Sequence, residues 1–231
     1  MTRRKPRGVN GWTRMGGAVP KAEFIPSELP PTKEAIEREM CAGAMRSMEF
    51  HGVSIWPTGV VPQKLAEDDF DFEFAAPNGP EYLDLAEVVP LAGVRGGYEG
   101  SPTTFPRKRL VNAIMSLIQQ KGMHYGLNRR VKVHLLLYTT DFRFLVSDGV
   151  VLLAKLALQR NHYRFASVCY YAPIDKEAGV LQVLHPPPGG LPYVSVGDEG
   201  RMLEGVMTNF DPRQWHVDAE KGGFFQPVPP G

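Results

Sequence analysis

Asp71, Glu73 and Asp84 stand in two alternating runs on either side of Asn78-Gly79. Phe70-Asp71-Phe72-Glu73-Phe74 and Tyr82-Leu83-Asp84-Leu85-Ala86-Glu87-Val88 change character at each residue, the period of a strand with one buried face, and Asn-Gly between them marks a hairpin turn. A hairpin symmetric about Asn78-Gly79 sets Phe74 opposite Leu83 and Phe72 opposite Leu85 on the core face. On the other face it sets Glu73 opposite Asp84 and Asp71 opposite Ala86. Carboxylates gathered in this way repel one another. They call for a divalent cation, a lysine or arginine partner, or a raised pKa. Mg²⁺ takes one or two protein carboxylates and completes its shell with water and substrate phosphate, so Glu73, Asp84 and Asp71 form a candidate metal set. The alternative is a solvated sheet face neutralised by Lys108 or Lys121.

A second cluster, Arg107-Lys108-Arg109, follows the glycine-rich stretch 92–100 and falls in the first turn of an expected helix. Cations there oppose the helix dipole unless an anion sits close by, and a phosphate would satisfy both the cations and the free N–H groups. Solvated charge explains the cluster equally well. No Gly-Lys-Ser/Thr leads into that helix, and no Gly-x-Ser-x-Gly, His-Glu-x-x-His or dinucleotide fingerprint occurs. His134 shares an expected strand face with Lys132 and Leu136, where a hydrogen-bonded histidine is the expectation. Asp141 and Arg143, at the end of that strand, read as a local turn pair.

The elements that must position these groups follow from periodicity. Thr32 is placed to cap a helix in which Ile36, Met40, Ala44 and Met48 form one stripe. A short strand is expected over residues 49–56, then the hairpin, then a helix opened by Pro106 with Leu110, Ile114, Leu117 and Ile118 inward. Residues 131–140 read as a central strand, Ser147 as the cap of a helix to about Gln159, and residues 166–171 and 180–185 as a strand pair. A last short helix is expected over residues 200–210. The order specifies a mixed α/β fold, a central mixed sheet flanked by helices, with irregular N- and C-terminal extensions. Three regions result: a basic irregular arm (1–31), an α/β core (32–185), and a Pro/Gly-rich connector, short helix and tail (186–231).

The chain has 231 residues, 43% hydrophobic and 22% charged, enough for one sizeable core and unlike a disordered chain. Its net charge of +1 hides an asymmetry. Arg3, Arg4, Lys5, Arg7, Arg14 and Lys21 precede the first acid, Glu23, so a +6 segment leads a mildly acidic body. Such a segment suits a polyanion or an acidic partner surface. No apolar run approaches the ~20 residues of a membrane span, and no apolar stretch follows the N-terminal charge as in a secretory signal, so a cytoplasmic protein without membrane contact is expected. Cys41 and Cys169 lack ligand spacing and read as small buried hydrophobes.

Helix, three strands, helix, strand, with acids on the second and third strands, resembles the PD-(D/E)xK, or restriction-endonuclease-like, superfamily. The resemblance covers about residues 32–171 and implies a Mg²⁺-dependent phosphodiesterase or nuclease core acting on DNA or another nucleic acid. Glu73 or Asp71 then matches the second-strand acid and Asp84 the third-strand acid, while Glu37 supplies the additional helix acid of many members. The lysine position two residues after Asp84 is Ala86, a departure. Members that supply the lysine from the following helix point to Lys121 or Lys108. The resemblance thus implies Glu73, Asp84, Lys121 and Lys108 as catalytic. Arg3, Arg4, Lys5, Arg7, Arg107 and Arg109 are candidate nucleic-acid contacts. The competing expectation is a non-catalytic module that docks a protein partner through the arm or the Pro-rich tail.

Overall fold

The computed structural model describes residues 10–15, 21–26, 29–57, 59–65, 70–94, 97, 104–125, 131–141, 144, 146–161, 164–173, 179–187, 189, 191–208, 215–218 and 224–227. The strands are β1 (Asn10–Met15), β2 (Lys21–Pro26), β3 (Gln63–Lys64), β4 (Phe72–Ala76), β5 (Gly79–Glu87), β6 (Thr104–Pro106), β7 (Lys132–Tyr138), β8 (Ser167–Pro173), β9 (Gly179–His185), β10 (Val206–Thr208), β11 (Trp215–Asp218) and β12 (Phe224–Pro227). The helices are α1 (Lys33–Phe50), α2 (Arg107–His124), α3 (Asp148–Arg160) and α4 (Val196–Glu204). Six strands form one mixed sheet in the order β3-β4-β5-β7-β8-β9. β5, β7 and β8 run parallel, and the remaining pairings are antiparallel.

The run Leu135-Leu136-Leu137 in β7 explains the layering. Successive side chains point to opposite faces, so a central strand covered on both sides must be apolar throughout. Leu135 and Leu137 join α2 and α3 in one core, with Leu110, Ile114, Ile118, Val150 and Leu153. Leu136 and Tyr138 join α1 in the other, with Ile36, Met40, Ala44, Phe74 and Leu83. Each fully buried leucine contributes roughly 1.5–3 kcal/mol of transfer free energy, which makes this sandwich the main source of stability. Cys41 and Cys169 lie in the α1 layer, and burial pushes both thiols up to about 12.

α1 starts as its sequence dictates. Thr32 Oγ1 accepts a hydrogen bond from Ala35 N at 3.2 Å, satisfying one of the free N–H groups of the first turn. Gly43, a weak helix former, is required by packing, because a Cβ there would overlap the Tyr171 ring and its hydroxyl. α2 starts at Arg107 behind Pro106 and buries Leu110, Val111, Ile114 and Ile118, while Leu117 is only partly buried. β8 and β9 pair antiparallel, as their sequences lead one to expect.

Two expectations are corrected. Residues 49–56 form no strand: α1 continues to Phe50, and the first strand of the central sheet is instead Gln63–Lys64, beyond the breakers Pro57, Gly59 and Pro62. The last helix begins at Val196, where Ser195 Oγ accepts from Asp198 N, so the cap five residues upstream of the first expected turn decides the start. Within the arm, β1 pairs with β2, consistent with the β-formers Trp12, Thr13, Phe24 and Ile25, and in the tail β11 pairs with β12. Among the described residues no helix is long and apolar enough to cross a membrane.

Candidate functional site

The turn decides which acids meet. β4 and β5 are closed by the pair Ala76 and Gly79, so the two-residue loop is Pro77-Asn78, and Gly79, at φ 111°, takes the conformation that favours glycine. Phe72 lies opposite Leu83 and Glu73 opposite Tyr82. Moving the turn by one residue shifts every pair by two. Faces are kept and partners change. Glu73 therefore does not face Asp84, contrary to the expectation from Asn78-Gly79. Asp71 does: its N donates to Leu83 O at 3.1 Å, and its Oδ2 accepts from Leu85 N at 2.8 Å.

An ionic chain is built around this pair. From α1, Glu37, 3% exposed, accepts from Lys64 Nζ at 2.9 Å. Lys64, on β3, also reaches Asp71 Oδ1 at 2.8 Å and lies over the Phe72 ring, 4.8 Å from its centre. Asp71 hydrogen-bonds Asp84, which is 2% exposed. From α2, Lys121 Nζ reaches Asp84 Oδ2 at 2.8 Å, and the Tyr125 hydroxyl donates a short hydrogen bond to the same oxygen. Three carboxylates, two ammonium groups and a phenol from α1, β3, β4–β5 and α2 thus meet at one edge of the sheet.

The two aspartates differ in environment. Burial first, and then the hydrogen bond with Asp71, push the Asp84 carboxyl up to about 6, although Lys121 and Tyr125 pull it down. Burial also acts on Asp71, but its hydrogen bonds with Asp84, Lys64 and the Leu85 N–H outweigh this and hold it below the usual range. Below about pH 6 Asp84 accordingly carries the shared proton, and Asp71 the charge. Burial lowers Lys64, but its bonds to Asp71 and Glu37 keep it above the ordinary lysine value.

Lys121 is brought to Asp84, and Glu37 joins through Lys64. Lys108 is exposed and lies 13 positions from Lys121 on the same helix, about 20 Å at 1.5 Å per residue. Glu73 sits beside Gln63 and Tyr82, two residues along β4 from Asp71. Arg109 donates through Nε to Pro90 O at 2.7 Å and through Nη2 to Ala92 O at 3.0 Å, holding the segment after β5. Arg107 N donates to Gly205 O at 2.8 Å, and its guanidinium packs against Gly205 at the end of α4, where the dipole favours a cation. Arg3, Arg4, Lys5 and Arg7 lie outside the described residues. Sequence reasoning missed Lys64 and Tyr125. Lys64 belongs to a two-residue strand with no periodicity, and Tyr125 follows the last residue of α2.

Among the described residues no three His, Cys, Asp or Glu side chains are grouped to hold a metal ion. What the centre offers a cation is the Asp71–Asp84 pair, with lysines on both sides. No protein-family model, curated protein or solved structure matches this chain.

Proposed function

We propose that the chain is a cytoplasmic, nucleic-acid-associated protein whose Asp71–Asp84 centre acts as a Mg²⁺-dependent phosphodiesterase of the PD-(D/E)xK type. The observation that carries this reading is the convergence of Asp71, one residue before the second strand of the sheet, with Asp84 on the third, between lysines from two other elements. The order α1, β3, β4, β5, α2, β7 follows the helix, three strands, helix, strand of that superfamily apart from the short β6. Asp71 and Asp84 fit the two-carboxylate donor set that Mg²⁺ uses, and the bound ion would supply Lewis acidity and an activated water. Lys121 replaces the lysine absent at Ala86 and stands ready to hold charge on a phosphate oxygen. Lys64, fixed between Glu37 and Asp71, orients the Asp71 carboxylate.

The test uses two variants. Asp71→Asn should abolish Mg²⁺- or Mn²⁺-dependent cleavage of DNA or RNA, while Glu73→Gln, outside the network, should retain it. Wild-type protein that cuts neither polymer and whose melting temperature does not respond to either ion would overturn the proposal. That outcome would favour a non-catalytic module that docks a protein partner. One observation supports this second reading: Asp71 already fills the Leu85 N–H and both lysines are already paired, so the network completes a stable edge by itself.

A further inference from the structure

A pocket of about 380 Å³ opens at the carboxyl end of β5, lined by none of the residues of the ionic chain. One wall is apolar, from Val89, Pro90, Ala113 and Leu117; the other is polar, from Glu87, Arg109, Asn112, Ser116 and Gln120. The size lies within the ~300–1,000 Å³ range of sites for small organic ligands. Its lining includes Glu87, the last residue of β5, and Val89 and Pro90 just beyond it.

The chemistry narrows the ligand. Arg109 is held by Pro90 O and Ala92 O through Nε and Nη2, which leaves Nη1 to meet an anion in a fixed orientation. Glu87, fixed by the hydroxyl of Thr140, places a carboxylate on the same lining. A bare phosphate would engage Arg109 alone. A ligand that carries an anionic group and a separate polar edge uses the rest of the lining as well. The amides of Asn112 and Gln120 and the hydroxyl of Ser116 both donate and accept, which suits the edge of a heterocycle laid on the apolar wall. Gln120 adjoins Lys121, and Glu87 stands three residues from Asp84 along β5, about 10 Å.

We infer that this pocket binds one nucleotide of the nucleic acid, base on the apolar wall and phosphate on Arg109, next to the phosphodiester presented to Asp71 and Asp84. The inference rests on the nuclease-like reading for its context, but the pocket's binding is measured without catalysis. Calorimetric titration of the full chain with adenosine, guanosine, cytidine and uridine 5′-monophosphates should show saturable binding of at least one. Ser116→Phe, which fills the pocket from an exposed helix position, should weaken that binding at least tenfold, and so should Asn112→Ala with Gln120→Ala. Both proteins should keep the wild-type melting temperature. Glu73→Gln, outside both the pocket and the ionic chain, should bind as wild type does.

No saturable binding to the wild type would overturn the inference. So would unchanged affinity in the Asn112→Ala, Gln120→Ala protein, or inorganic phosphate bound as tightly as the nucleotides. The two proposals fail separately. Cleavage that is insensitive to all pocket variants removes the pocket and leaves the nuclease reading, whereas pocket-dependent nucleotide binding without metal-dependent cleavage does the reverse.

Discussion

Asp84 shows how one buried carboxyl ties the candidate chemistry to stability. An ordinary aspartate titrates at 3.8, whereas Asp84 in the fold is pushed up to about 6 by burial and by Asp71. A raised pKa means that the folded state binds the proton more tightly, so the contribution is present in full below the unfolded value and is lost as pH rises through the folded one. Asp84→Asn keeps a donor for Asp71 and removes the ionisation. The variant should gain on the wild type as pH rises from about 4 to about 6 and hold that gain above, on the order of 1–3 kcal/mol. Urea denaturation of both proteins in chelator across that range measures the difference. A gap that does not change with pH would refute the assignment of the proton to Asp84. Lys64 and Tyr125 complete the same centre but are silent in the sequence. A lysine in a two-residue strand and a tyrosine just past a helix end carry no period, and only the tertiary fold brings them to the aspartates.

At the scale of elements, the regular segments were legible and their joints were not. The α1 stripe and the triple leucine of β7 bury the residues their periodicity selects, the α2 face does so apart from the half-buried Leu117, and β8 pairs with β9 although Val180 stays exposed. The hairpin register departs from its sequence signal: Asn78-Gly79 is a good turn centre in isolation, whereas the closing pair Ala76–Gly79 moves the loop to Pro77-Asn78. That displacement exchanges Glu73 for Asp71 as the partner of Asp84. Gly43 is a related case. Helix propensity alone predicts that alanine stabilises α1 by about 1 kcal/mol. The structure predicts the opposite sign, because the new Cβ would overlap Tyr171, and overpacking in a closed core costs about 1–3 kcal/mol. Thermal melts of Gly43→Ala and of the same change with Tyr171→Leu should show a loss in the first and partial recovery in the second. A more stable Gly43→Ala protein would mean that Tyr171 moves aside freely.

For the whole molecule, the near-neutral total joins a +6 segment to an acidic body whose buried carboxylates are largely paired. If the segment follows a polyanion, replacing Arg3, Arg4, Lys5 and Arg7 with glutamine should weaken nucleic-acid binding and flatten its salt dependence. Four lost phosphate contacts would reduce the slope of log K against log salt by about 3. An unchanged slope in filter-binding or fluorescence titrations would assign those cations another role. The central sheet has one more consequence. Its spatial order, β3-β4-β5-β7-β8-β9, repeats the order of these strands along the chain. No strand has to be threaded between two that are already joined, so a polypeptide leaving the ribosome can extend the sheet from one edge to the other, laying each segment on a template already made.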